Sequence, residues 1–470
     1  MFWRRAFVLG RPSLPSLPQW GQLGRRGLNI DAKSSKSTKM AATEASYLIV
    51  GAGVFGAATA LELKRANPLA NVTLVDRTEF PNPSAASHDL NKIVRADYGD
   101  VMYMKLALEA QELWRNDPIY KPYYHQVGML YAESKGMGKS FIANYKKLGI
   151  DYASEFMSTE EARTRFSGAF RAANWEGVTQ TYFNPRSGWG DGAGALRSVI
   201  QAGVDIGVTY KAAPVSKLAL DEADKCVGVT LEDGGELRAD QVVLCVGAWT
   251  PFFLAESAPN SQQLQTGDRM VAAGAIQCCA TFPEDQAYKF KDVPVVFNAM
   301  AHTEGESIPP TAENRLKFNY EASFTNKSYH ESSRQTLSIP PRRTSRSTWS
   351  QDVPQGLKDE IKTVVKHTYG DWIEGLEIES YRMCWDAITP NQDFIISPHP
   401  HCQGLYVATG GSFHSWKFVP VLGRYVVQML QGTLSDELAA RWAWDRPADG
   451  GALPEFLPHR DLKDIPGYVG

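Results

Sequence analysis

Four stretches of the chain hold residues whose types and spacing could do chemistry on a bound anion. The first is Gly51-Ala52-Gly53-Val54-Phe55-Gly56, followed 20 residues past its last glycine by Asp76 and then Arg77. Gly51 permits a tight turn, Gly53 lets backbone N–H groups approach a pyrophosphate, and Gly56 lets a helix pack closely on a strand. Asp76 can accept hydrogen bonds from a ribose diol. The spacing predicts a dinucleotide site without separating a flavin from a nicotinamide dinucleotide. The second stretch, Ser84 to Gly99, is dense in donors, with Ser87, His88, Lys92 and Arg95, and would suit an anionic ligand or a flat ring. The third runs from Arg382 to Lys417 and contains Cys384, Gly411, Phe413, His414, Trp416 and Lys417. The fourth is Arg315 to Glu321, with Lys317 inside it.

The elements that position these residues can be read from the flanking pattern. Tyr47 to Val50 is a short apolar run ahead of the glycines, Ala57 to Ala66 reads as a helix, and Asn71 to Asp76 as a second apolar strand. Gly404 to Thr409 is another strand, entering a Gly-rich turn and an incipient helix that carries His414 and Lys417. Gln241 to Val246 is a buried strand ending in the small-residue turn Gly247-Ala248-Trp249, and Pro214-Val215 opens a further strand. Alternation across Arg315 to Glu321 suits a strand.

The segment Asn91-Lys92-Ile93-Val94-Arg95-Ala96-Asp97-Tyr98-Gly99 and the Cys384-Trp385, Thr389-Pro390 and Asp393-Phe394-Ile395-Ile396 pattern resemble the D-amino-acid-oxidase-like flavoproteins. The nearest subgroup holds sarcosine oxidase, pipecolate oxidase and the fructosyl-amino-acid oxidases (amadoriases). The likeness spans about residues 46–445 in motif order. It implies an α/β fold in which a Rossmann-type FAD-binding domain of the glutathione-reductase type is interleaved with an α+β substrate domain on a mixed or antiparallel sheet. It also implies roles. Gly51, Gly53, Val54, Phe55, Gly56, Asp76, Arg77, Ser87, His88, Lys92, Val215, Gly247, Trp249, Gly411, Phe413, His414 and Lys417 would hold FAD. Cys384 would carry it through an 8α-thioether, and Lys92 would lie beside the flavin. Arg95 and Lys417 would clamp a substrate carboxylate. Lys317 would activate oxygen by stabilising negative charge as it develops on O2. His414, Trp416 and Glu321 would shape the substrate environment. Glu321 stands where sarcosine oxidases carry a histidine, and Phe413 and Trp416 are bulkier than the family turn, so they are expected to reshape the pocket ceiling.

The activity this implies is two-electron oxidation of the C–N bond of a secondary or N-substituted amino acid, giving an imine that hydrolyses, and H2O2. Three alternatives stay open on sequence: a tailoring oxidase whose imine is captured by cyclisation, a dehydrogenase with another electron acceptor, and a flavoprotein retained for binding. The partners expected are a small amine and O2, with a monomer as the working unit.

Composition bounds the rest. With 470 residues, 43% hydrophobic, 21% charged, 39 glycines and 27 prolines, the chain is not disordered, collagenous or disulfide-stapled. The net charge of −3 argues against a nucleic-acid partner. It conceals an Arg-rich start, since residues 1–40 hold eight Lys or Arg and one acid. That composition fits an organelle transit peptide; a disordered extension, or sequence ahead of a start at Met40, fits equally. A mitochondrial or cytosolic location is left open, and no C-terminal Ser-Lys-Leu marks a peroxisomal protein. The six cysteines show no metal-finger spacing, and no apolar run reaches the ~20 residues of a spanning helix. The expected layout is a leader over 1–45, FAD-binding segments 46–100, 181–257 and 379–443, substrate segments 101–180 and 258–378, and a tail over 444–470. Residues 327–353 read as a surface loop.

Overall fold

The computed structural model describes residues 45–299, 304–341, 352–446 and 457–469. The expected leader therefore lies outside the described residues. Short runs rich in Val, Ile and Leu, buried on both faces, form a six-stranded sheet. Its order is Ile395–Pro398, Leu405–Thr409, Gln241–Leu244, Ser46–Val50, Asn71–Asp76, Thr209–Ala212. All neighbours pair in parallel except the edge strand Ile395–Pro398. Helices Val54–Ala66, Gly192–Asp205 and Val419–Leu430 bury their small and aliphatic faces in a shared core on this sheet. Asp191 starts the second of them by accepting from the Gly194 N–H at 2.8 Å, an ordinary N-cap.

A second sheet has eight strands, in the order Glu377–Ile388, Val271–Thr281, Arg315–Tyr320, Gly305–Ile308, Val295–Ala299, Met129–Glu133, Gln180–Asn184, Glu155–Ser158. It is antiparallel throughout except where Val295–Ala299 runs parallel to Met129–Glu133. Alternation divides its strands cleanly. Leu316 and Phe318 face one side, where helix Gln355–Tyr369 covers them with Leu357, Ile361, Val364 and Val365. Each such side chain removed from water contributes about 1.5–3 kcal/mol. Lys317, Asn319 and Glu321 therefore face the other side. The result is a mixed α/β architecture with both kinds of sheet.

Four segments depart from the sequence reading. Helix Val101–Asn116, grouped by sequence with the substrate segments, buries Tyr103, Leu106, Ala107, Ala110 and Trp114 in the parallel-sheet core. Its apolar stripe matches the aromatic surface of Phe394 and Phe418 there. Strand Glu377–Ile388, most of which was placed with the FAD segments, pairs with Val271–Thr281 in the second sheet. The stretch read as a surface loop contains a hairpin, Lys327–His330 against Gln335–Ser338, held by the His330–Glu256 contact at 3.0 Å and by Ser338 donating to the Ala272 carbonyl. In the expected tail, Trp444, Leu462 and Ile465 are buried, and Asp461 accepts from the Thr325 hydroxyl at 2.8 Å. Isolated apolar residues without periodicity suffice to dock a segment.

Asp97 joins the donor-rich loop to the second sheet. Its buried carboxylate accepts from the Tyr131, Tyr145 and Tyr182 hydroxyls at 2.8–3.1 Å and from the Asn184 amide at 2.8 Å. Removing it would strand several buried donors. Asp97→Ala is expected to lower the unfolding free energy by about 3–5 kcal/mol, measured by denaturant titration of the FAD-loaded protein. A loss within about 1 kcal/mol would contradict this anchoring role.

Candidate functional site

The strand ends of the parallel sheet and the exposed face of the second sheet enclose one cavity of about 1980 Å³. That exceeds the roughly 300–1,000 Å³ of an ordinary small-molecule pocket. It has room for a dinucleotide and a substrate together.

At one end lies the Gly-rich turn. Gly51 has φ +97°, and a Cβ there would sit 2.5 Å from the Cys245 carbonyl oxygen, so only glycine makes this turn. A Cβ on Gly56 would lie 1.9 Å from the Gly51 carbonyl oxygen. Gly56 is thus a packing residue and does not itself line the cavity. Gly53 is the N-cap of helix Val54–Ala66 and offers no side chain to cap it; the Val54 N–H donates to Ser87 Oγ at 2.9 Å. First-turn N–H groups at an uncapped helix start suit a phosphate. Asp76 accepts from the Ala52 N–H at 2.7 Å and the Asn82 amide at 2.6 Å, which fixes it at the cavity wall. Val215, Gly247 and Trp249 continue that wall, with Arg77 5.0 Å over the Trp249 ring. These residues fit a dinucleotide. His88 departs from expectation. It does not line the cavity; its carbonyl accepts from Arg382 at 2.6 Å, and burial, then Arg382, lower its pKa.

Lys92, Lys317 and Arg382, which line the cavity, converge on a residue the sequence reading passed over. Asp89 is buried and contacts Lys317 Nζ at 2.6 Å, Lys92 Nζ at 2.9 Å and Arg382 Nη1 at 3.7 Å. Burial alone would raise its pKa; Lys317, Lys92 and Arg382 together bring it well below the carboxylate range. Lys317 is fully buried and also donates to the Asn91 carbonyl at 2.8 Å. Burial lowers its pKa, against the pull of Asp89. For Lys92 the balance reverses: burial again lowers it most, but Asp89 and Cys384 together overcome this and raise its pKa. Cys384 is buried on the same wall, two residues along the strand from Arg382 and two before Asp386. Asp386 accepts from the Phe413 N–H at 2.8 Å, and burial raises its carboxyl to about 6.

At the other end Arg95 and Lys417 flank Tyr98. Arg95 lies 4.6 Å over the Tyr98 ring and donates to the Asp97 carbonyl. Lys417 Nζ donates to the Tyr98 hydroxyl at 3.0 Å and the His414 carbonyl at 2.7 Å. His414 Nε2 faces the Gln392 carbonyl at 2.9 Å and so must carry the proton, which leaves Nδ1 to accept from Tyr98 at 3.1 Å. Burial, then Lys417, push His414 down to about 3, so the ring is neutral. Burial, then Arg95, lower Lys417. Glu321 opens to the same end, and burial, then Glu306 and Glu304, raise its pKa. Phe413 is 40% exposed with φ +59° and borders the cavity beside Gly411. The Trp416 ring instead stacks on Trp114 with centroids 5.0 Å apart, inside the core. It lines the cavity and is held there by this stacking on the core of the neighbouring helix.

Asp89, Tyr98, Arg382, Glu306 and Asp386 are thus site residues that sequence reasoning missed. A signal existed for Asp89, three residues before Lys92, and for Asp386, two residues after Cys384 on a strand.

The chain is similar to known proteins over most of its length. The chain is 29% identical over 416 residues to L-saccharopine oxidase of Schizosaccharomyces pombe, covering 85% of this chain and 93% of that protein. It is 23% identical to a monomeric sarcosine oxidase of Bacillus sp., covering 82% and 93% of the two chains. Among solved structures, the fructosyl peptide oxidase from E. terrenum superposes with a TM-score of 0.77 at 26% identity, covering 92% of this chain and 99% of that one. Residues 46–429 match the family model described as FAD dependent oxidoreductase, and the chain belongs to that family of FAD-dependent flavoenzymes.

Proposed function

We propose that the chain oxidises the C–N bond of a secondary or N-substituted amino acid, with O2 as electron acceptor, to an imine that hydrolyses and to H2O2. The observation that carries this reading is the continuity of one cavity. The dinucleotide turn, the buried ammonium of Lys317 and the Arg95–Lys417 pair all line it. FAD, when bound, supplies the two-electron oxidant and is afterwards returned to its oxidised form by O2.

Arg95 and Lys417 hold the substrate carboxylate with charge-assisted bonds. Lys417 has two of its three protons on Tyr98 and His414, which leaves one for the ligand. The neutral His414 and Tyr98 fix that direction without adding charge. The reacting amine must be unprotonated for its C–N bond to be oxidised, and two buried cations nearby disfavour the ammonium form. Lys317 has one N–H left after Asp89 and Asn91, and presents it to the cavity where negative charge develops on O2. Support for a covalent link at Cys384 is positional: its buried thiol lies on the cavity wall, with Lys92 its neighbour in charge. Among the described residues no helix is long and apolar enough to cross a membrane.

Three outcomes follow. Lys317→Met is expected to slow reoxidation of the reduced flavin by on the order of a hundredfold, leaving anaerobic reduction by substrate within about threefold; stopped-flow traces of the two half-reactions decide it. Equal losses in both would remove the assigned role. Because Lys317 must be protonated to act, reoxidation should fall as pH rises through a pKa below that of a free lysine. Asp89→Asn withdraws the anion that holds this proton and should shift the fall to lower pH, read as reoxidation rates from about pH 6 to about pH 10. Finally, acid precipitation should leave yellow flavin in the pellet of the natural chain and release it to the supernatant for Cys384→Ala. Colour in the natural chain's supernatant would refute the thioether.

A further inference from the structure

The turn that leads to His414 and Lys417 is held in a conformation its sequence does not favour. Ser412 and Phe413 are both left-handed, at φ +46° and +59°, without being glycine. Consecutive residues of this kind persist only where the surrounding structure over-determines them. Here that structure is the end of strand Glu377–Ile388. The Ser412 N–H donates to the Ala387 carbonyl at 2.9 Å, and Ser412 Oγ accepts from the Thr389 N–H at 3.2 Å. Asp386 completes the join. One carboxylate oxygen accepts from the Phe413 N–H and the other from the Ala387 N–H, each at 2.8 Å.

The residue after Phe413, His414, supplies the carbonyl that accepts from Lys417 Nζ at 2.7 Å. Asp386, Phe413, His414 and Lys417 thus form one run of contacts from the strand end to the ammonium. Resting on the reading of Arg95 and Lys417 as the carboxylate clamp, we propose that Asp386 is a positioning residue for that clamp, holding the turn only while both its oxygens accept. Protonation makes one of the two a donor that faces an N–H. The strained turn then loses a charge-assisted bond, and the carbonyl that seats Lys417 shifts with it. Burial raises this carboxyl to about 6, against the Phe413 and Ala387 N–H groups and the charge of Lys92. The clamp is therefore complete above that pH and loosens as the pH falls through it. The other groups around Asp386 leave it to titrate alone. Lys92 is paired with Asp89, and Asp393, beyond the turn, with Arg441. On the neighbouring strand Asp386 faces Ala273, with Ala272 and Gly274 beside it. The Gly247–Trp249 turn packed on the same strand carries no titratable side chain. His414 is neutral, and Cys384 stands two residues back on the strand.

The alternative is that Asp386 only fixes the strand end and has no effect on the clamp. Methoxyacetate separates the two, because its carboxylate stays ionised through the range tested and it has no amine to titrate or oxidise. With FAD-loaded protein, titration followed by the spectrum of the bound flavin should give a dissociation constant at least about fivefold higher at about pH 5 than at about pH 8. Asp386→Asn offers one acceptor oxygen at every pH. It should bind at about pH 8 as weakly as the natural chain does at about pH 5, with no further pH dependence. Phe413→Gly removes the strain that the carboxylate opposes and should flatten the profile too, so the test survives if Asp386→Asn fails to retain FAD. A constant unchanged by pH in the natural chain, or a profile unmoved by both substitutions, overturns the proposal. If methoxyacetate leaves the flavin spectrum unchanged at every pH, the clamp reading is what fails. Hydrogen exchange of the segment from Gly404 to Phe418, corrected for its intrinsic pH dependence, then decides whether Asp386 holds the turn. Faster exchange at about pH 5 than at about pH 8 in the natural chain, and equal exchange in Asp386→Asn, upholds that role; equal exchange in both chains ends it.

Discussion

The buried carboxylate of Asp89 is the interaction on which the site depends. It contacts three cations that arrive on separate elements: Lys92 from the short strand after its own loop, Lys317 from the centre of the second sheet, and Arg382 from that sheet's edge strand. Without it the buried Lys317 and Arg382 and the half-buried Lys92 would repel one another in a poorly solvated space, at a cost of several kcal/mol for each buried ion. With it, the loop that follows the dinucleotide turn is tied to the sheet that roofs the cavity. Arg382 extends the tie by donating to the His88 and Ala85 carbonyls at 2.6 and 2.8 Å. Asp97, eight residues on, repeats the device with neutral donors from the same sheet. Two carboxylates of one loop thus set where Lys317 and Arg95 stand relative to the Gly-rich turn.

The second constraint is the two-residue period of a strand. Once Leu316 and Phe318 are committed to the helix Gln355–Tyr369, Lys317, Asn319 and Glu321 have no face left but the cavity. The same parity puts Arg382, Cys384 and Asp386 on that face, and Glu304 and Glu306 beside them. A slip of one residue in either strand would bury the charges and expose the aliphatics, so the hydrophobic layer enforces the chemistry of the polar one. Stability and site are here two faces of one register.

Legibility in the sequence followed from how local each signal is. The Gly-rich turn, its flanking strands and Asp76 depend on contiguous residues, and they took their places without revision. The resemblance carried the family and the sheet types. What sequence reading lost were long-range partners. Nothing adjacent to Asp89 in the chain shows that Lys317, 228 residues away, ends 2.6 Å from it. Trp416 lines the cavity as its place between His414 and Lys417 suggests, but nothing near it in the chain shows that its stacking partner is Trp114 of a distant helix. His88 fell outside the cavity although Ser87 lines it, since successive residues of a tight loop point apart. The hairpin around Tyr329 and the docked residues Leu462 and Ile465 escaped because short polar strands and isolated apolar residues carry no periodic signature.

The pocket's two signs of charge also explain its one neutral ring. His414 lies against Lys417 and in the field of Arg95, where a second proton would add a third cation with no anion assigned to it. Its proton on Nε2 is instead spent on the Gln392 carbonyl, and Nδ1 orients the Tyr98 hydroxyl so that Tyr98 can accept from Lys417. The order of donors from Lys417 through Tyr98 to His414 has a single direction, because each acceptor's remaining lone pair or proton is already committed. Lys417 is thereby left with one N–H not engaged by Tyr98 or His414, and Arg95 is held by the Tyr98 ring and the Asp97 carbonyl. Donors fixed in this way before any ligand arrives are the condition under which charged hydrogen bonds in an enclosed site act without reorganisation.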